Sequence, residues 1–277
     1  MRPVPGELDL RATQAALIAA THRTARLLCE APDGQTAVPN LAWTVGETAA
    51  HLVTILQHSR GFVSGDEDAT QYSTVDPNAT TPAERSVAAN ARMLEEFTER
   101  NPERLAAFLE TAAEEFVAVA DQRRENEPVL IEAGVSMTVS VMTAVLLGEQ
   151  LVHGLDIARA LKRAWTIDRR DAILVTSASM KLVPEVIDRD GTTGLHATFE
   201  LRLRGGPRYQ VRIDDGTATV AEASGSADCW MSVDPVAALL LAYGRVGQWG
   251  QLLQGRLIVG GRKPWLIAKL GALLTPM

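Results

Sequence analysis

Cysteine is nearly absent from this sequence, with two among 277 residues, Cys29 and Cys229. Two cysteines so far apart make neither a disulfide framework nor a short thiol motif of the Cys-x-x-Cys kind. Cys29 follows two leucines in a helical pattern and Cys229 precedes Trp230 in an apolar strand pattern. Both therefore read as small buried residues and not as nucleophiles. Basic blocks are also missing: the net charge is −7, the pI is near 5.3, and no lysine-arginine cluster interrupts the acidic balance. That disfavours a nucleic-acid partner. Long apolar runs are absent too. The weakly polar stretch GVSMTVSVMTAVLLG, residues 134 to 148, contains two serines and two threonines, short of the roughly 18 to 20 apolar residues that a bilayer span requires. The opening residues, MRPVPGELDLRATQ, carry two prolines and two acids where a secretion signal needs a basic start and an apolar core. A cytoplasmic protein without a membrane helix is expected.

What is present is a globular composition, 46% hydrophobic and 22% charged. The length exceeds the roughly 100 to 200 residues of one domain, so two domains are expected. Helical periodicity runs through about 8 to 30, 45 to 64, 82 to 124 and 137 to 163, with loops rich in Pro, Asp, Gly and Asn. The third stretch should break at ERNPER, because Asn101 precedes Pro102 and a residue before proline avoids the helical well. Such a set suggests a four-helix bundle over residues 1 to 165, with any site built from facing helices. Beyond Thr166 the period changes. LHATFELRLR, 195 to 204, alternates apolar and polar residues, Gly205-Gly206 and Asp215-Gly216 mark turns, and YQVRID and TATVAEA continue the alternation as an antiparallel meander. A further strand in ADCWMSV, a helix opened by Asp234-Pro235, a short stretch RLIVGG and a last helix in WLIAKLGALL complete the second domain, 166 to 277. The expected fold class is mixed: an α bundle followed by a smaller α+β domain.

Against this background GEQLVHGLDIARAL, residues 148 to 161, places Glu149, His153 and Asp156 inside an apolar helix. Ionisable groups in such surroundings cost several kcal/mol unless partnered. Glu149 and His153, four residues apart, share a helix face with β-carbons roughly 5 to 6 Å apart, close enough to hold one divalent ion. A second Glu-x-x-x-His, Glu47 and His51, occurs earlier, where 19 glutamates and 5 histidines predict roughly 0.3 such pairs by chance. Thr44 to Glu47 fits the S/T-x-x-E capping box, so Glu47 reads as structural. His51 is then free to act as a third ligand across the bundle. His58 shares its face but lies roughly 10.5 Å along the axis, too far to join that ion. It reads as a surface or rim residue, and His22 and His196 as ordinary polar-face residues. On the residues alone, a metal site and a self-satisfied buried His-Glu pair stand level.

LAWTVGETAAHLV and LLGEQLVHGLDIARAL resemble the two metal-bearing segments of the mycothiol-dependent maleylpyruvate isomerase family, within the DinB-like helical-bundle superfamily. The resemblance implies that His51, Glu149 and His153 bind a divalent metal, usually zinc, and that Asp156 supports the last ligand from behind. It also implies mycothiol as thiol cosubstrate. The segment from ADCWMSVDP onward is similar to the closing half of sterol-carrier-protein-like domains, and family members carry a related domain whose Gly-Arg arginine reaches toward the metal. The matching pair is Gly244-Arg245, although a cation at a helix C-terminus is equally favourable on its own.

Three protein ligands leave a coordination position open. A thiol entering it is deprotonated by the ion's charge, and the sulfur can then attack a small, anionic electrophile to isomerise or conjugate it. Two other readings remain: a hydrolase using the same position for water, and a lipid or acyl carrier acting through the second domain. A monomer is favoured.

Overall fold

The computed structural model describes residues 8 to 73, 76 and 78 to 268. The described chain separates into two compact units, one spanning Asp9–Ile167 and the other beginning at Asp168.

The first unit is helical: α1 (Leu10–Cys29), α2 (Val45–Ser64), a short α3 (Thr70–Ser73), α4 (Pro82–Glu96), α5 (Pro102–Ala120) and α6 (Val139–Ala160). Each long helix starts on a side-chain cap: Asp9, Thr44, Thr81, Asn101 and Thr138 each accept a hydrogen bond from a backbone N–H of the first turn. Pro102 opens α5 at a position whose N–H would go unused, and this is where the long third stretch breaks. Helices α1, α2, α5 and α6 pack around one core: α1 lies against α5 and α6, and so does α2. Leu17, Leu28, Leu52, Leu56, Leu105, Leu109, Phe116, Leu147 and Leu151 are fully buried there, each contributing about 1.5–3 kcal/mol of transfer free energy. Helix α6 has the length and composition to cross a bilayer but is mostly enclosed by its neighbours, and its apolar character is that of a core helix. Before it, strands β1 (Pro128–Leu130) and β2 (Ser136–Thr138) form an antiparallel hairpin. Thr138 both ends β2 and caps α6, which moves the start of that helix past residue 137.

The second unit begins with α7 (Arg169–Val186), followed by β3 (His196–Leu203), β4 (Arg208–Asp214), β5 (Thr217–Glu222), β6 (Cys229–Val233), α8 (Pro235–Ala242), α9 (Gln248–Leu253) and β7 (Leu257–Gly260). The sheet order is β5-β4-β3-β6-β7. The meander β3-β4-β5 is antiparallel as its alternation predicts, whereas β6 pairs with β3 in parallel, residue 229 against 199 through 233 against 203. The inward set Ala197, Phe199, Leu201 and Leu203 joins Met180 and Val183 of α7 and Ala237 of α8 in one core. Tyr209 donates its hydroxyl to Ser177 at 2.7 Å, fastening β4 to α7, and burial pushes its pKa up to about 12. The mixed helical and antiparallel-rich architecture is the expected fold class.

Several details depart from the sequence reading, and neither α9 nor the β1-β2 hairpin was expected. Helix α7 was not anticipated. Glu200, a polar residue of the β3 alternation, is buried beneath Arg202 and Arg208, which donate to its two oxygens. Cys29 is exposed, because it is the last residue of α1, on the side away from the core that Leu28 enters; Cys229 is buried. The final helix expected in WLIAKLGALL begins as a 3-10 turn, Pro264–Leu266, and its residues beyond 268 lie outside the described chain.

Candidate metal centre

The capping box that starts α2 sets the bearing of everything after it. The Thr44 backbone N–H donates to Glu47 Oε2 at 2.8 Å, and the Glu47 N–H donates to Thr44 Oγ1 at 3.2 Å. Glu47 is thus committed to the cap, and His51 falls on the face of α2 that meets α6. From α6, Glu149 and His153 project one turn apart toward it. His51 Nε2 lies 3.4 Å from Glu149 Oε2, and His153 Nε2 lies 3.3 Å from the same oxygen. Nitrogen, oxygen and nitrogen all fall within 4.8 Å of one another. The two histidines are buried and Glu149 is 17% exposed.

Charge-assisted N–H···O bonds close to about 2.7–2.9 Å; the two imidazoles here share a single carboxylate oxygen at longer range, so the three donor atoms surround a common point. Behind His153, Asp156 Oδ2 stands 3.2 Å from Nδ1 and is 2% exposed. A carboxylate there favours a hydrogen on Nδ1 and leaves Nε2 as the ring atom that faces Glu149 and His51. Nδ1 of His51 is buried without a partner.

The electrostatics follow the same plan. Burial lowers the His51 pKa, with His153 adding to the effect, so the ring favours its neutral form. Burial also opposes charge on His153, but Asp156 and Glu149 outweigh it and raise its pKa. Glu149 would be pushed up by burial, yet its hydrogen bonds to His153 and His51 hold it far below the usual carboxylate range. A neutral imidazole, a firm carboxylate and an oriented second imidazole form a donor set suited to a borderline divalent cation such as zinc.

Two neighbours escaped the sequence reading. The Trp43 ring stands 5.0 Å from that of His51 and 6.2 Å from that of His153, centroid to centroid, and covers the cluster from the loop before α2. Its position directly ahead of the cap residue was the available signal. Glu132, in the turn between β1 and β2, is half-buried. Burial raises its pKa, and it senses the charges of His58 and Glu149. No periodic pattern announced that turn. His58, expected at the surface or rim, is only 17% exposed and pairs with Glu67. His196 pairs with Asp214 at the exposed end of β3, and His22 is half-buried. Arg245 follows Gly244, whose φ of 66° ends the α8 segment, and its guanidinium donates to the Tyr243 carbonyl at 2.6 Å.

The family model described as the mycothiol maleylpyruvate isomerase N-terminal domain matches residues 15–158. No curated protein matches the sequence. Among solved structures, a variant of the mycothiol-dependent maleylpyruvate isomerase is similar at 14% identity and a TM-score of 0.53, covering 91% of this chain and 93% of that one. A second structure of that isomerase gives 16% identity and 0.50, covering 87% and 91%. At such identities the likeness concerns the fold. Sterol Carrier Protein 2 from Yarrowia lipolytica covers 39% of this chain and 98% of its own at 15% identity, but its TM-score of 0.27 carries no argument about the second unit. The family model spans more than half of the sequence and includes both helices that carry the cluster, and on that ground the chain belongs to the mycothiol maleylpyruvate isomerase family.

Proposed function

We propose that the chain is a metal-dependent enzyme that uses mycothiol to isomerise, or to conjugate as a thiol S-transferase, a small electrophile bearing an anionic group. The observation that carries this reading is the convergence of His51 Nε2, Glu149 Oε2 and His153 Nε2 within 4.8 Å on two facing helices. These three residues would hold the ion, with zinc the favoured identity for two imidazoles and a carboxylate. Bound there, a divalent cation supplies the positive charge that keeps a thiol ionised at neutral pH. Asp156 keeps the His153 tautomer correct, and Trp43 shields the cluster from water. The sulfur has to come from a cosubstrate, since Cys29 ends α1 away from the cluster and Cys229 is buried in the core of the second unit. Arg245 is assigned to the substrate's anionic group on the family resemblance, a task that suits a planar guanidinium able to give a carboxylate two hydrogen bonds. The first unit is accordingly a DinB-like metal-binding bundle and the second a sterol-carrier-protein-like domain.

The test is elemental analysis of wild type, His51→Ala and His153→Ala, followed by loss of free mycothiol thiol in the presence of maleylpyruvate and then of other conjugated electrophiles. Wild type should carry about one divalent ion per chain and consume or recycle thiol with product formation. Equal metal content in all three proteins removes the site, and thiol-independent hydrolysis of an ester or amide by wild type replaces the reaction with a water-activating one. If thiol chemistry is present and Arg245→Ala leaves kcat/KM within about twofold, Arg245 is a helix-end charge only.

A second reading has one observation in its favour. Trp249, Leu252, Val259, Pro264, Trp265 and Ile267 line a cavity of about 360 Å³ in the second unit, a volume and lining that suit a short acyl chain. Saturable binding of a fluorescent fatty acid to the full chain, abolished by Leu252→Arg, would support carriage, and its absence would remove it.

A further inference from the structure

His58 stands seven residues beyond His51 on α2. Seven helical steps return to within about 20° of the same bearing and rise about 10.5 Å, so both histidines share a face. Its Nδ1 lies 2.8 Å from Glu67 Oε2 and 3.1 Å from Tyr72 Oη, and its ring is flanked by those of Phe62 and Tyr72 at 6.3 and 5.1 Å. An ionised carboxylate only accepts hydrogen bonds, so Nδ1 carries the hydrogen and Nε2 is the atom left to exchange a proton.

The local chain is shaped to make this pair. Gly65 caps α2 with φ 85°, and the chain turns back so that the Glu67 N–H donates to the Gly61 carbonyl at 3.2 Å. A Cβ on Gly61 would stand 2.7 Å from Glu67 Cγ, so a residue without one lets the carboxylate lie across the helix and reach His58. The charged and titratable groups around the ring are Glu67 and Tyr72, with Arg92 behind the Tyr72 ring at 5.5 Å, and Glu132 from the β1-β2 turn. Glu132 is raised by its burial, with His58 and Glu149 among the charges that act on it.

We propose that His58, positioned by Glu67, is the acid–base residue of the reaction, passing a proton between Nε2 and the substrate oxygen on which charge develops. The proposal rests on the thiol-dependent reading above. When a thiol adds to an alkene conjugated with a carbonyl, the sulfur electron pair forms the C–S bond and the alkene π pair moves onto the carbonyl oxygen. The proton given up by the thiol reaches that oxygen through His58 Nε2. In isomerisation, rotation about the now single C–C bond follows, Nε2 takes the proton back, the double bond re-forms and the C–S bond breaks, which regenerates the thiol. In conjugation the proton ends on the α-carbon and the C–S bond stays.

The competing explanation is that His58 and Glu67 merely staple the segment after α2. Both are addressed by metal-replete full-length protein assayed with mycothiol and maleylpyruvate, together with nitrogen NMR of the histidine rings. Expected results are a 10²–10³-fold fall in kcat for His58→Ala and His58→Gln, with KM and metal content unchanged. Added imidazole should restore part of the activity of His58→Ala and none of that of His58→Gln. The spectrum should show His58 as its Nδ1–H tautomer in wild type, and Glu67→Ala should lose that preference along with about tenfold in kcat. A kcat within twofold of wild type in both His58 variants, a parallel loss of metal and activity, or an Nε2–H tautomer in wild type overturns the proposal. Wild type inert toward every thiol and electrophile pair overturns the functional reading itself and this proposal with it, recognised because no substitution is then needed to see the failure.

Discussion

Gly154 follows His153 on α6, and its missing side chain is occupied by Trp165. A Cβ built there would stand 2.3 Å from Trp165 Cζ2 and 2.5 Å from Cη2, so Gly154→Ala must drive the indole out of its seat. The indole has much to lose: its Nε1–H donates to the Leu151 carbonyl at 3.0 Å, and the Arg23 guanidinium covers its ring at 4.1 Å while also donating to the Thr166 carbonyl at 2.6 Å. Truncating a buried tryptophan costs about 3–5 kcal/mol; Trp165 is half-buried, which brings that to about 2. The hydrogen bond adds about 1 kcal/mol and the cation–π contact about 0.5. Alanine returns about 1 kcal/mol of helix propensity. The net is a loss of about 2–3 kcal/mol, roughly 5–10 °C in Tm for a unit of this size. Thermal melts followed by circular dichroism measure it, and a double-mutant cycle isolates the cause. In a Trp165→Ala background the same Gly154→Ala change should be neutral or stabilising by about 1 kcal/mol. If Gly154→Ala is neutral or stabilising in the wild-type chain, the packing argument is wrong.

Three further outcomes follow from named contacts. Asp156→Asn removes the charge 3.2 Å from His153 Nδ1 and lets an amide N–H favour the opposite tautomer, so zinc affinity should fall about 10- to 100-fold; chelator competition showing less than threefold would deny Asp156 its orienting role. Glu47→Ala should destabilise by about 0.5–2 kcal/mol, as cap losses do, and leave metal content unchanged; the reverse result would mean that the two Glu-x-x-x-His pairs have exchanged roles. Glu200 is held below its ordinary pKa of 4.5 by Arg202, against the cost of burial, and then by Arg208. That depression stabilises the fold above the ordinary value and is lost as pH falls through the folded one, so the Tm gap between wild type and Glu200→Gln should be widest near neutral pH and shrink below about 4.5. A gap that stays constant to about pH 2.5 would show that the ion pairs contribute nothing.

The helical unit was legible because its signals are local. Caps at Thr44, Thr81, Asn101 and Thr138, and the proline at 102, act within a few residues of the boundaries they set. The meander was legible for the same reason, with Asp215 and Gly216 adopting the positive φ angles that a tight hairpin turn requires. Helix α7 was missed because Pro184 stands in its last turn and because Thr176 and Ser177 occupy buried positions in its apolar stripe. The parallel pairing of β6 with β3 depends on a connection through residues 204 to 228 that no short-range pattern encodes. The centre shows the same division. Glu149 and His153 announce each other at helical spacing, but the approach of His51 is decided by how α2 packs on α6, and Glu132 arrives on a hairpin whose strands are three residues each.

Charge balance gives the cluster its remaining test. Glu149 and Asp156 bring two negative charges into a buried site, and with His153 protonated and His51 neutral, as the pKa directions favour, one negative charge is left uncompensated. A divalent cation with both rings neutral cancels both carboxylates. Metal binding at near-neutral pH should therefore displace a proton from His153 and from no other member of the cluster, and metal release should take that proton up again. Two ordinary histidines with pKa near 6.5 would together take up about 0.5 proton at pH 7 and about 1.5 at pH 6. Here the rings are shifted in opposite directions, His153 toward its charged form and His51 toward its neutral one, so the uptake should change less steeply with pH than it does for two independent histidines. Titration calorimetry in buffers of different ionisation enthalpy counts these protons directly. An uptake that climbs threefold from pH 7 to pH 6 would show two independent histidines, and the division of roles between His51 and His153 would fail with it.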